Sequence, residues 1–168
     1  SVSTDFALLR PDGTLVDGIY LPTRGRPIEV LGEGLGMLRE RFGTRLRVLG
    51  VGTTGSGRHL AARLVGADLV RNEITAQLRG ALRYFPDAES ILEIGGQDSK
   101  YVRVEHGRVA DFTMNKVCAA GTGSFLEEQC ENLGLDVKTA FAPLAARSAT
   151  PAELGARCTV FMETELVN

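Results

Sequence analysis

A β-hairpin followed by helix is written twice along this chain, once from Asp5 and again from Ile91. In the first copy, residues 5–10 and 14–21 are β-compatible runs either side of Pro11-Asp12-Gly13, a turn sequence. Pro27 then opens a helix with apolar residues at Ile28, Leu31, Leu35 and Leu38, ending near Phe42-Gly43 despite three internal glycines. Residues 46–51 read as a short apolar strand entering the glycine-rich run 52–57, and residues 59–64 read as helix. A longer helix is expected over 73–85, with Asn72 as N-cap and Pro86 as stop. In the second copy, strand 91–94 ends in Gly95-Gly96, and runs 100–105 and 108–112 pair through His106-Gly107. Helices over 119–133 and 137–147 follow, Pro151 marks a loop, and residues 158–168 open a further helix. The repetition predicts an α/β chain of two related lobes, expected at 1–86 and 87–168. Charge changes at the same place: residues 1–86 carry 12 Arg and no Lys against 8 acids, residues 87–168 only 7 basic against 13 acidic.

Composition narrows the function classes. A chain of 168 residues can bury roughly 70% of its unfolded surface, so neither disulfide nor metal is needed for folding alone. No apolar run approaches the roughly 20 residues of a membrane span, and no basic and apolar leader opens the chain. A net charge of -2 without a basic tract argues against nucleic acid as partner. Three cysteines are not a secreted disulfide framework, so a cytoplasmic setting is expected. The chain opens with Ser-Val-Ser-Thr rather than Met and is expected to be a fragment of a longer polypeptide.

Three glycine-rich or cysteine-bearing stretches carry the chemistry. The run Gly52-Thr-Thr-Gly-Ser-Gly57 has the glycine spacing of a P-loop, but Arg58 and His59 stand where Lys and Ser/Thr must reach phosphate and Mg²⁺. It reads as a strand-to-helix turn whose backbone amides are open to an anion. Glu93-Ile-Gly95-Gly96-Gln97-Asp98 is either an ordinary hairpin turn or a place where backbone approaches phosphate oxygens without Cβ interference. Its carboxylates and amide are oxygen donors suited to hydrated Mg²⁺. Cys118-Ala-Ala-Gly121-Thr122-Gly123 enters a helix, where a thiol is shifted toward thiolate, and Cys158 precedes another. The two are either packed thiols or half of a four-cysteine iron–sulfur site completed by a symmetry mate. Cys130 reads as a packing residue and His106 as a turn residue; no Ser or Cys stands near either histidine at triad spacing.

Taken together, the runs 51–58, 72–76, 93–100, 117–126 and 157–161 resemble, in order, the ATP-dependent activases of 2-hydroxyacyl-CoA dehydratases and related ATPase subunits of benzoyl-CoA reductases, the BadF/BadG/BcrA/BcrD type. The resemblance implies two ribonuclease-H-like lobes of the actin/sugar kinase/Hsp70 fold, truncated at both ends, with ATP and Mg²⁺ between them. It implies a homodimer sharing one [4Fe–4S] cluster held by Cys118 and Cys158 of each subunit. Gly95, Gly96, Gln97 and Asp98 match the second phosphate loop, with Glu93 and Asp98 its carboxylates. Gly121, Thr122 and Gly123 match a glycine turn near the nucleotide, and Ser1, Ser3 and Thr4 the end of the first phosphate loop. Glu93 stands where Asp is common in relatives, Asp5 where Lys is common, and the adenosine-binding half of the second lobe is expected beyond Asn168. The implied activity is ATP hydrolysis coupled to passing one low-potential electron to a dehydratase or reductase partner. A small-molecule kinase of the same fold, or a non-catalytic actin-like module, would share these loops.

Overall fold

The computed structural model describes residues 2–115 and 122–150. Its elements mix strands and helices, and the chain divides into two compact units, Ser1–Gly80 and Ala81–Asn168.

The first unit opens with the expected hairpin. Strands β1 (Ser3–Leu9) and β2 (Leu15–Pro22) pair antiparallel, with Phe6 opposite the buried Ile19. The turn closes because Gly13 supplies a φ of +83° and the Asp12 carboxylate accepts from the Thr14 amide at 2.9 Å. A tight turn at Arg24-Gly25, both with positive φ, leads into helix α1 (Pro27–Phe42). This helix packs on the hairpin through Val30 and Gly34; of the expected stripe, Leu31 and Leu38 are half-buried while Ile28 and Leu35 are exposed. The reason lies at Gly34, where the Phe6 ring occupies the space a Cβ would need. Absence of a side chain, not presence of leucine, decides which face turns inward.

The strand expected over 46–51 is irregular, and Val48 and Leu49 are exposed. Pairing begins later, at β3 (Gly52–Thr53), which runs parallel to an unforeseen β4 (Leu69–Val70). The Asp68 carboxylate fixes this register by accepting from the Val51 amide at 2.7 Å. Helix α2 (Arg58–Val65) makes the crossover and ends at Gly66 in the left-handed region. Helix α3 (Glu73–Tyr84) starts as expected, with Asn72 Oδ1 accepting from the Ile74 amide at 2.8 Å, and buries Ile74 and Leu78.

The second unit is built on an antiparallel sheet, β5 (Ser90–Ile94), β6 (Ser99–Glu105) and β7 (Arg108–Met114), in that order. Alternation along β6 is strict: Lys100, Val102 and Val104 are buried, while Tyr101, Arg103 and Glu105 face out. Helix α4 (Gly123–Asn132) buries Phe125, Gln129 and Cys130, so Cys130 is a packing residue. Its described part begins at Gly123, where Thr122 is extended (φ −106°, ψ 170°) and serves as the cap; residues 119–121 of the expected helix lie outside the described residues. The helix expected over 137–147 is a five-residue π-helical turn (Val137–Phe141) followed by α5 (Ala142–Ala145). Pro143 has no amide to give to Thr139, so the ladder cannot run through this segment in ordinary α register.

Candidate functional site

Of the second-unit residues that sequence reasoning singled out, those the structure describes, Glu93, Gly95 to Asp98, Thr122 and Gly123, lie at or beside the connection between β5 and β6. Gly95 to Asp98 form a tight loop, closed by the Gly95 amide donating to the Asp98 carbonyl at 2.8 Å. A Cβ at Gly95 would lie 3.1 Å from that carbonyl oxygen and 3.2 Å from Glu93 Oε1, tight enough that the neighbours would have to give by a few tenths of an ångström. Gln97 and Asp98 are exposed at its tip.

The start of α4 is docked onto this loop. The Gly123 amide donates to the Gly95 carbonyl at 2.9 Å, and the Ser124 amide to the Gly96 carbonyl at 2.8 Å. A Cβ at Gly123 would meet Gly95 O and Gly96 Cα at 3.5 Å, ordinary contact. Thr122 is completely buried beside this junction. The helix start was expected to offer free amides to a thiolate; the first two instead satisfy loop carbonyls, since orphan donors at a helix N-terminus bond the nearest acceptor. At the other end of the loop, Asn115 clasps Ser99: Asn115 Oδ1 accepts from the Ser99 amide and the Asn115 amide donates to Ser99 O, both at 3.0 Å.

Beneath the loop is a charged group that sequence reasoning did not single out. Lys100 is buried in phase with Val102 and Val104, and its register partner on β5 is Glu93. Lys100 Nζ donates to Glu93 Oε2 at 3.1 Å and stands 3.9 Å from Asp98 Oδ2. The Lys100 side chain is 6% exposed, that of Glu93 24% and that of Asp98 51%. One carboxylate is therefore tied inward and the other turned to water. The alternation of Lys100 with two valines was the available signal.

Ser3 and Thr4 lie in the first unit, as the first residues of β1. The Ser3 hydroxyl donates to Asp5 Oδ2 at 2.9 Å, and the Thr4 hydroxyl shares a hydrogen bond with that of the buried Thr23, also at 2.9 Å. The run 52–57 belongs to the same unit, where Arg58 Nη1 donates to Gly55 O and Thr53 Oγ1 to Arg58 O, each at 3.0 Å. Ser1, Gly121, Cys118 and Cys158 lie outside the described residues. Among the described residues no group of three or more His, Cys, Asp or Glu side chains could hold a metal ion, and no helix is long and apolar enough to cross a membrane. The oxygen donors at the loop tip, Asp98 carboxylate and Gln97 amide, have the chemistry for a hydrated Mg²⁺ that keeps most of its waters.

A family model described as the BadF/BadG/BcrA/BcrD ATPase family matches residues 1–168. The chain is 35% identical to the Escherichia coli protein YjiL over 96% of its own length and 60% of that protein's. It is 36% identical to the (R)-2-hydroxyglutaryl-CoA dehydratase activating ATPase of Acidaminococcus fermentans over 68% of the chain and 43% of the relative. Two solved structures superimpose with TM-scores of 0.83. One is component A of the Acidaminococcus fermentans dehydratase, at 29% identity over 99% of this chain and 63% of that one. The other is the 2-hydroxyisocaproyl-CoA dehydratase activator of Clostridium difficile with bound ADPNP, at 28% identity over 99% and 61%. The chain thus has the α/β architecture of these activators and spans about 43–60% of the length of the two curated relatives named.

Proposed function

Because the chain belongs to the BadF/BadG/BcrA/BcrD ATPase family, we propose that it forms the phosphate-binding part of an ATP-driven activator of a 2-hydroxyacyl-CoA dehydratase or a benzoyl-CoA-reductase-like enzyme. The two compact units correspond to the first and second ribonuclease-H-like lobes, with ATP and Mg²⁺ held by their phosphate loops. The carrying observation is the Gly95-Gly96 loop: a Cβ at Gly95 would be crowded by the Asp98 carbonyl and Glu93, and the loop carbonyls are pinned by α4, leaving Gln97 and Asp98 at the open side. The names of the relatives and the ADPNP-bound neighbour support the same reading.

In this proposal the loop backbone accepts the phosphate side of the nucleotide, Glu93 and Asp98 are the carboxylates beside it, and Thr122 and Gly123 line the turn that follows. Ser1, Ser3 and Thr4 close the first phosphate loop. Cys118 and Cys158 bind a [4Fe–4S] cluster together with the same residues of a second subunit, in a cytoplasmic homodimer. When bound, that cluster would store the single low-potential electron delivered to the partner enzyme. The protein's own contribution is to make γ-phosphate loss change the contacts at the loops.

The test uses the protein at full length, purified without oxygen. Alanine at both Cys118 and Cys158 should abolish iron–sulfur absorption and leave nucleotide binding largely intact. Retention of stoichiometric iron and sulfide by that double variant would overturn the cysteine assignment. Absence of ATP hydrolysis in the parent protein would overturn the ATPase.

A further inference from the structure

Thr23, the residue that follows β2, is 5% exposed, although Pro22 before it and Arg24 after it are both exposed. Its amide donates to Val2 O at 2.8 Å, its carbonyl accepts from the Arg26 amide at 2.9 Å, and its hydroxyl shares a hydrogen bond with that of Thr4 at 2.9 Å. Two of these bonds reach residues 2–4 at the start of β1. The third closes a turn in which Arg24 has a φ of +47°, a conformation costly for a residue with a Cβ that persists only where its surroundings over-determine it. We propose that Thr23 is a positioning residue for the first phosphate loop, holding Val2 to Thr4 in place, and that Thr4 serves the loop through Thr23 rather than by touching phosphate. This rests on the phosphate-site reading above and deepens it, because it gives the end of that loop an anchor and withdraws one of its hydroxyls from the nucleotide.

Strand parity separates the roles. Along β1, Thr4, Phe6 and Leu8 are half-buried, whereas Asp5, Ala7 and Leu9 are exposed. Thr4 thus shares a face with Phe6, whose ring lies against Gly34 of α1, and on that packed side its hydroxyl meets Thr23. Ser3 belongs to the opposite face, with its hydroxyl on Asp5. A hydroxyl brings one proton and two lone pairs, and away from water it needs a partner. Thr4 and Thr23 supply each other. Both are β-branched and have few side-chain rotamers open to them, so a bond between their hydroxyls also fixes the backbones that carry them. Valine at position 23 would keep the shape and strip the Thr4 hydroxyl of its partner, leaving the amide bond to Val2 O as the remaining tie from residue 23 to residues 2–4.

The experiment titrates the full-length protein with fluorescent N-methylanthraniloyl ADP in the presence of Mg²⁺, at a temperature where every variant is folded, with urea unfolding followed in parallel. Thr23→Val should weaken ADP binding about fivefold, the scale of one neutral hydrogen bond, and Thr23→Ser, which keeps the hydroxyl, should bring it back to within about twofold of the parent. Thr4→Val should also weaken binding about fivefold, and the double variant no more than the worse single one, because the two hydroxyls act as a unit. Losses that multiply to about 25-fold would mean that Thr4 meets the nucleotide independently, and would overturn the inference. A Thr23→Val protein that binds ADP like the parent, whatever its unfolding midpoint, overturns it too, since the pair is then structural alone. So does a Thr23→Ser protein as weak as Thr23→Val. Should Thr23→Val not fold, the double variant, which leaves neither hydroxyl unpaired, carries the test: a loss of about fivefold supports the inference, and no loss or one of about 25-fold overturns it. A parent that binds no ADP overturns the phosphate site and this inference with it, a result told apart because it involves no variant.

Discussion

At the scale of single residues, the glycines of α1 separate into two kinds. Gly34 faces Phe6 with no room for a methyl group, whereas Gly32 has nothing within 4 Å. Gly34→Ala is expected to cost about 1–3 kcal/mol through overpacking. Gly32→Ala should gain about 0.5–1 kcal/mol by removing backbone freedom from the unfolded helix segment. Urea unfolding of the two variants should move the midpoint in opposite directions. The sequence showed three glycines in a helix but not which one was required, because that depends on the Phe6 ring, 28 residues earlier on β1. A second residue-scale prediction concerns Asp136. Its carboxyl is held below the ordinary value by hydrogen bonds from the Thr139 hydroxyl and from the Thr139 and Lys138 amides. A lowered folded-state value means that its contribution is present above the ordinary carboxyl pKa of 3.8 and is lost as pH falls through the folded value. Thr139→Ala should move the Asp136 titration upward, followed by NMR of its side-chain carboxyl.

At the scale of elements, hairpins and caps were legible and packing partners were not. Pro11-Asp12-Gly13, His106-Gly107 and Asn72 act locally, and each does in the structure what its chemistry dictates. The parallel pair β3–β4 rests on two residues each and on Asp68, 17 positions from Val51, too little signal for any local pattern. Of the site, the glycines and Asp98 were visible because turns and carboxylates announce themselves; Lys100 was passed over because a lysine reads as surface until its parity with Val102 and Val104 is noticed. The junction of loop and helix yields its own prediction. Gly95→Ala must push against the Asp98 carbonyl and Glu93, whereas Gly123→Ala meets only ordinary contacts. The first should weaken nucleotide binding about tenfold or more, a loss of roughly 1.4 kcal/mol, and the second should change it less than threefold, as measured by the same fluorescent ADP titration.

At the scale of the whole molecule, a ligand that binds only the folded form must stabilise it. Mg²⁺-ADP at about 100 times its dissociation constant should add about 2.7 kcal/mol to the full-length protein, seen as a rise in unfolding temperature that disappears when Mg²⁺ is chelated. An unchanged temperature would speak against the phosphate site. The duplicated hairpin-and-helix pattern and the change of charge led to an expected division at residues 86 and 87, while the chain clusters into units that divide between Gly80 and Ala81, inside α3. Finally, the bonds from Gly123 and Ser124 to the carbonyls of Gly95 and Gly96 make the loop and the helix one mechanical piece. A push on those two glycines therefore reaches the first turn of α4 directly: it must break both bonds or shift the helix against the packing of Phe125, Gln129 and Cys130.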